Sequence, residues 1–282
     1  GVADGLALRG QVAPRPPGAV MTLEGSLQPL LASATYRGLA PLNLGERVAA
    51  LRQADVRTRI LADLAGQDPA TALLALYPYT YAMADPLRYD FTPEQSIAAI
   101  ARRAGRSQED VAYDVLLESD GRGVIWAPGA NFEQPDFAAT REMLVHPLTL
   151  PGIGDGGAHC TIVCDASFPT FLLTYWARDA GAADRLELEW VVKRQAADTA
   201  RWIGLDDRGV IAPGRRADVN LIDMDRLALR VPEIRSDLPL GGKRLVQPVD
   251  GYRATIVAGQ AVWEEGEATG ARPGRLAKPG GG

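Results

Sequence analysis

The chain has 282 residues, with 30 Lys+Arg against 35 Asp+Glu for a net charge of −5, 46% hydrophobic and 23% charged residues. That balance is ordinary for a globular protein and leaves no basic footprint for nucleic acid or an anionic membrane surface. No apolar run approaches the ~20 residues a bilayer-spanning helix needs, and the N-terminus has no signal-peptide pattern, so a cytoplasmic location is expected. The two cysteines, Cys160 and Cys164, are too few for a disulfide framework, and there are only two histidines, His146 and His159.

Taken in chain order, residues 5–13 read as a short strand stopped by Pro14-Arg15-Pro16-Pro17-Gly18, followed by a loop-like stretch. Residues 44–64 show helical spacing, with Val48, Leu51, Val56, Ile60, Leu61 and Leu64 on one broad face and a break near Ala54-Asp55. Leu73–Tyr81 is apolar and aromatic, and its three tyrosines either line a pocket or pack under a loop. Thr92-Pro93-Glu94-Gln95 opens a helix over 93–104 ended by Gly105, and Ser107 caps a second over 108–119. Val111, Val115 and Leu116 mark the buried side of that second helix.

Beyond it the pattern predicts a strand at 124–127, a helix at 135–145 ended by His146-Pro147, and a strand at 148–153. Further helices are expected at 168–178 and 188–203, the second stopped by Gly204. His146 at a helix end is placed where a cation meets the helix dipole. After Gly204 the character changes to strands: Ala217–Ile222 alternates, and Tyr252–Val257 and Gln260–Trp263 flank Ala258-Gly259 like a hairpin. Alternating helices and strands up to residue 203 predict βα units around a parallel sheet or barrel, 1–203, with a small β domain and an extended tail over 204–282.

The stretch Leu150–His159, Leu-Pro-Gly-Ile-Gly-Asp-Gly-Gly-Ala-His, places Asp155 in a glycine-flanked turn at the end of an expected strand. α/β enzymes position catalytic groups there, and the same residue serves equally as a helix cap. His159-Cys160 with Cys164 is a fragment of a zinc-ligand pattern without a fourth ligand at the usual spacing. Asn131, Asp165 and Tyr79 are further pocket candidates by position.

Three stretches carry a likeness: Gly-Ile-Gly-Asp-Gly-Gly-Ala-His, Leu188–Gly204, and Asp207-Arg-Gly-Val-Ile-Ala-Pro-Gly-Arg-Arg-Ala-Asp-Val-Asn-Leu-Ile-Asp223. Together they resemble the amidohydrolase superfamily, in its N-acyl-D-amino-acid deacylase (D-aminoacylase) branch. The Arg-Gly-x-Ile-x-x-Gly-x-x-Ala-Asp pattern is the most specific of them, and Glu265–Gly274 fits the same branch. The resemblance implies an α/β chain forming the later part of a (β/α)8 TIM-type barrel plus a small β-sandwich. It also implies a metal-dependent hydrolase that cleaves a non-peptide C–N amide bond of a small molecule such as an N-acyl amino acid. Zinc or another divalent metal is the implied cofactor. Asp155 would be the aspartate at the end of the last barrel strand, both metal-associated and proton-shuttling, with His159 and Asn131 as substrate contacts.

The family's His-x-His metal pair is absent, so the chain resembles the C-terminal portion of such an enzyme, and no metal-dependent turnover is expected from these 282 residues alone. The alternative is a catalytically silent remnant acting as a structural or self-associating interaction module. The family's His-Pro-Arg after the strand-eight aspartate is missing too: His159 through Ala177 contains no arginine. An N-acyl-D-amino-acid substrate would then need another carboxylate clamp, for which Arg15, Arg88 and Arg178 are the candidates.

Overall fold

The computed structural model describes residues 5–67, 79–132, 136–154, 156–157 and 159–278. In chain order, β1 (Gly10–Val12) and β2 (Gly18–Met21) lead into α1 (Ala34–Leu39), α2 (Leu44–Leu51) and α3 (Ala54–Ala65). Next come β3 (Tyr81–Met83), α4 (Ile97–Ala104), α5 (Gln108–Gly121), β4 (Val124–Pro128), α6 (Ala138–Val145) and β5 (Thr149–Pro151). Then α7 (Phe168–Phe171) runs on as a π-helical stretch, Leu172–Asp179, and α8 (Leu188–Lys193) passes through a π turn, Arg194–Asp198, into α9 (Thr199–Trp202).

Each break has a local cause. The expected 44–64 helix divides at Arg52-Gln53, where Gln53 is extended, and Asn43 opens α2 with a reciprocal capping box to Glu46. Over 93–104 the first turn, Pro93–Gln95, is a 3-10 turn, and the α-helix starts only after extended Ser96, whose hydroxyl oxygen accepts from the Ala99 N–H. Ser107 caps α5 as expected, and Val111, Val115 and Leu116 are buried.

The β2–β4–β3 sheet divides two cores. It is antiparallel throughout, with β4 central. All residues of Val124–Ala127 are buried, and their side chains alternate between the faces as strand geometry requires. Val124 and Trp126 join an aromatic core with Tyr81, Tyr89, Phe91 and Phe132, whereas Ile125 and Ala127 join an aliphatic core under α1–α5 with Leu30, Ile60 and Leu116. Gly18 is required at the β2–β4 contact: a Cβ there would lie 2.4 Å from Trp126 Nε1 and 2.6 Å from the Ala127 carbonyl oxygen.

The expectation of a parallel sheet is corrected. Among the described residues only β1 and β5 pair parallel, and no closed barrel forms; the architecture is mixed α/β. Pro14, Pro16 and Pro17 lack N–H donors, so the ladder cannot run on from β1 into β2, and the two strands enter different sheets. The stretch read as a loop after Pro17 therefore contains β2, and further on a 3-10 turn (Pro29–Ala32) and α1.

After α9 the described elements are strands and one 3-10 turn, Pro239–Gly241. These strands are β6 (Val219–Ile222), β7 (Ala228–Leu229), β8 (Glu233–Leu238), β9 (Gly242–Val246), β10 (Val249–Asp250), β11 (Tyr252–Val257), β12 (Gln260–Glu264) and β13 (Glu267–Ala268). The β11–β12 hairpin turns at Ala258-Gly259, both at positive φ, and β6 forms the other edge of a β13–β12–β11–β6 sheet. Leu227, Leu229 and Leu245 from this region are buried in the same aromatic core as Trp126 and Trp176. Among the described residues, no helix is long and apolar enough to cross a membrane.

Candidate functional site

Asp155 itself lies outside the described residues; the segment around it is described. β5 ends at Pro151, and the Gly152 N–H donates to the Val12 carbonyl at 3.0 Å, fixing the start of the loop against β1. Ile153 (φ 64°), Gly157 (φ 96°) and His159 (φ 46°) all take left-handed backbone, so the loop turns repeatedly. At its far end the His159 carbonyl accepts from Ile162 N at 2.7 Å and Val163 N at 3.0 Å. The Ile162 carbonyl in turn accepts from Val20 N at 2.7 Å, and the Cys160 carbonyl accepts from Leu245 N at 2.6 Å.

The end of the loop carries a feature that no local pattern announces. Arg15 and Asp165, separated by 150 residues, form a buried ion pair at 2.8 Å. Arg15 Nη2 also donates to Ser167 Oγ at 3.2 Å and to the Cys164 carbonyl at 3.4 Å. The guanidinium lies between two rings, 4.1 Å from the Tyr89 centroid and 4.6 Å from that of Phe168. Burial pushes the Tyr89 hydroxyl above its ordinary range, with Arg15 pulling the other way. The neighbouring Cys164 thiol is pushed up to about 11 by the same desolvation. Removing one partner of such a pair typically costs about 3–5 kcal/mol, because the other charge stays buried.

This arrangement corrects two readings. Arg15 is not free to clamp a substrate carboxylate, and Asp165 is not a pocket-lining acid, because each satisfies the other inside the core. The other two candidate arginines are also committed. Arg88 forks onto Asp90, while Arg178 forks onto Asp179 and donates to the Met224 and Leu227 carbonyls at 2.7 and 2.8 Å. Arg88 and Arg178 do share the wall of one cavity of about 200 Å³ with Tyr89, Tyr175 and Arg230.

His159 and Asn131 are exposed residues at positive φ, and no hydrogen bond joins them. Of the three tyrosines, Tyr77 lies outside the described residues, Tyr79 is exposed, and Tyr81 is core, stacked 4.7 Å from Phe91. His146 Nδ1 accepts from the Leu148 N–H at 3.1 Å, a contact that requires an unprotonated Nδ1; it ties the turn after α6. The partial zinc pattern is not assembled: among the described residues no group of three or more His, Cys, Asp or Glu is placed to hold a metal ion, and both cysteines are free.

The sequence profile of the amidohydrolase family matches residues 14–263. The chain belongs to this family. An N-acyl-D-aspartate deacylase from Alcaligenes xylosoxydans xylosoxydans is 29% identical over 241 residues, covering 79% of this chain and 44% of the relative. A crystal structure of D-aminoacylase, described as defining a novel subset of amidohydrolases, is 24% identical with a TM-score of 0.36. A second D-aminoacylase structure, concerned with that enzyme's binuclear metal centre, is 22% identical with a TM-score of 0.35. Each covers 81% of this chain and 44% of its own, so the chain spans less than half the length of these relatives.

Proposed function

We propose that the chain forms part of a metal-dependent amidohydrolase that cleaves a non-peptide C–N amide bond of a small molecule such as an N-acyl amino acid. Membership of the family over residues 14–263, a span that includes Leu150–His159, is the observation that carries this reading. The deacylase relative supports the amide as the bond cleaved. In this reading the fold is the later part of a (β/α)8 barrel with a small β-sandwich, and Asp155 ends the last barrel strand. An aspartate there takes a proton from the attacking water and returns it to the leaving amine. His159, on the same loop, overhangs the site and contacts substrate, with Asn131 as a second contact.

Zinc or another divalent cation is the cofactor the reading implies. The described residues do not fit one: His146 ties a turn, His159 stands exposed, and no group of ligands converges.

That misfit favours a second reading, a catalytically silent structural or self-associating module. An apolar groove of about 580 Å³ between α8 and β6, with Ile211 87% exposed on its wall, is consistent with it. One experiment separates the two. The purified chain is analysed for bound zinc and assayed for release of amine from N-acyl-D-amino acids, beside Asp155→Asn. Turnover that drops by about 10²–10⁴ in the variant supports the hydrolase and overturns the expectation that these 282 residues are inactive alone. A metal-free, inactive chain is expected under both readings, and self-association then supports the module while a monodisperse monomer with cooperative unfolding argues against it.

A further inference from the structure

We propose that Arg15 is a positioning residue: acting through Asp165, it holds the exit of the loop that follows β5, from His159 to Asp165, in one conformation. The proposal rests on the hydrolase reading for its kinetic consequence only. Both ends of the loop are tied to the same short stretch of chain. The entry is held by the Gly152 N–H on the Val12 carbonyl, and the exit by Arg15 on Asp165, Ser167 and the Cys164 carbonyl.

The stretch that makes both ties is stiff. Pro14, Pro16 and Pro17 fix φ around Arg15, and the Trp176 indole N–H donates to the Pro14 carbonyl at 2.7 Å. The rings of Tyr89 and Phe168 close on the guanidinium from both sides, so it cannot swing to another partner. Between the ties, the non-glycine residues Ile153 and His159 hold left-handed backbone that only the surroundings can enforce.

Stability by itself does not call for this pair. Well-packed apolar residues replace a buried ion pair at little or no cost, whereas a forked guanidinium fixes direction and distance together. What the pair supplies is the register of the loop exit, and register is what a catalytic carboxylate on that loop needs.

The test uses the full chain with Arg15→Met/Asp165→Leu, which removes both charges together. Hydrogen exchange is followed at the Ile162 and Val163 amides, which bond to the His159 carbonyl, with the α5 amides as internal reference. The expected result is an unchanged thermal midpoint and α5 exchange, with Ile162 and Val163 exchanging about tenfold faster or more. Unchanged exchange at those two amides overturns the proposal. Should the double variant fail to fold, Arg15→Lys takes its place. It keeps the charge but cannot bridge all three acceptors, so faster exchange at the same amides is again expected and unchanged exchange again overturns.

Where the protein hydrolyses an N-acyl amino acid, the same variants should lose about tenfold or more in kcat with KM unchanged. An unchanged kcat overturns the positioning role. Where the wild-type chain alone does not hydrolyse, as expected of these 282 residues, the exchange measurement decides the role of Arg15.

Discussion

Ser33 donates its hydroxyl proton to the Asp63 carboxylate at 2.6 Å, joining the cap of α1 to the face of α3. The same oxygen of Ser33 accepts from the Tyr36 N–H, and Asp63 also accepts from the Thr35 N–H at 2.9 Å. Led by the Ser33 hydrogen bond, these donors lower the Asp63 pKa from 3.8 to about 2.

A depressed carboxylate pKa gives stability that is complete above the unfolded value and lost as pH falls through the folded one. Asp63 should therefore contribute fully above about pH 4 and lose its contribution on acidification toward pH 2. Urea midpoints measured from pH 5 to pH 2 should fall less steeply in Asp63→Asn than in the parent. Parallel curves would show that the contact does not act this way.

The two thiols should differ sharply in reactivity. Cys160 is exposed, whereas Cys164 is buried with its thiol pushed up to about 11. Because the thiolate is the nucleophile, iodoacetamide at neutral pH should label Cys160 alone in the folded protein and both residues in denaturant. Peptide mass mapping reads this directly, and equal labelling of Cys164 in the native state would contradict the packing around Arg15.

Trp126 is fully buried, with Tyr89 5.2 Å away edge-on, Phe132 at 5.7 Å and Phe91 at 5.9 Å. Trp126→Ala removes the centre of this cluster and should cost about 3–5 kcal/mol in chemical denaturation. Trp126→Phe keeps a ring in place and should cost clearly less. Equal losses would indicate that ring packing is not what the site rewards.

Gly251 precedes β11 at φ 96°, and a Cβ there would lie 2.6 Å from Leu227 Cα and 2.9 Å from the Asp223 carbonyl oxygen. Backbone atoms cannot move aside as a flexible side chain does, so Gly251→Ala should destabilise by about 2 kcal/mol or more. Gly157, at the same φ but with open space around its Cβ position, should show only the conformational part when replaced. Thermal unfolding of the two variants side by side makes the comparison.

Wherever a single element carried its own signal, that element was legible in advance. Ser107 with the Val111, Val115 and Leu116 face located α5, and the division of the 44–64 helix was expected within two or three residues of where it occurs. Gly259 marked the β11–β12 turn because few other residues adopt positive φ so readily. What failed was partner choice. Alternation shows which face a residue takes but not whether the neighbouring strand runs parallel, so β4 was read without its antiparallel partners β2 and β3, of which β2 fell in a stretch read as a loop. β8 and β9 were missed because Glu233–Leu238 is mostly exposed, and Ser236 interrupts the apolar phase set by Ile234 and Leu238.

The candidate site divides the same way. By itself the sequence determined the family, the glycines flanking Asp155, and the absence of arginine from His159 through Ala177, because these are properties of neighbouring residues. Only the tertiary structure decided what Arg15 and Asp165 do. Each looked available to a ligand when considered alone, and folding brings them together across 150 residues, where two buried charges must satisfy each other.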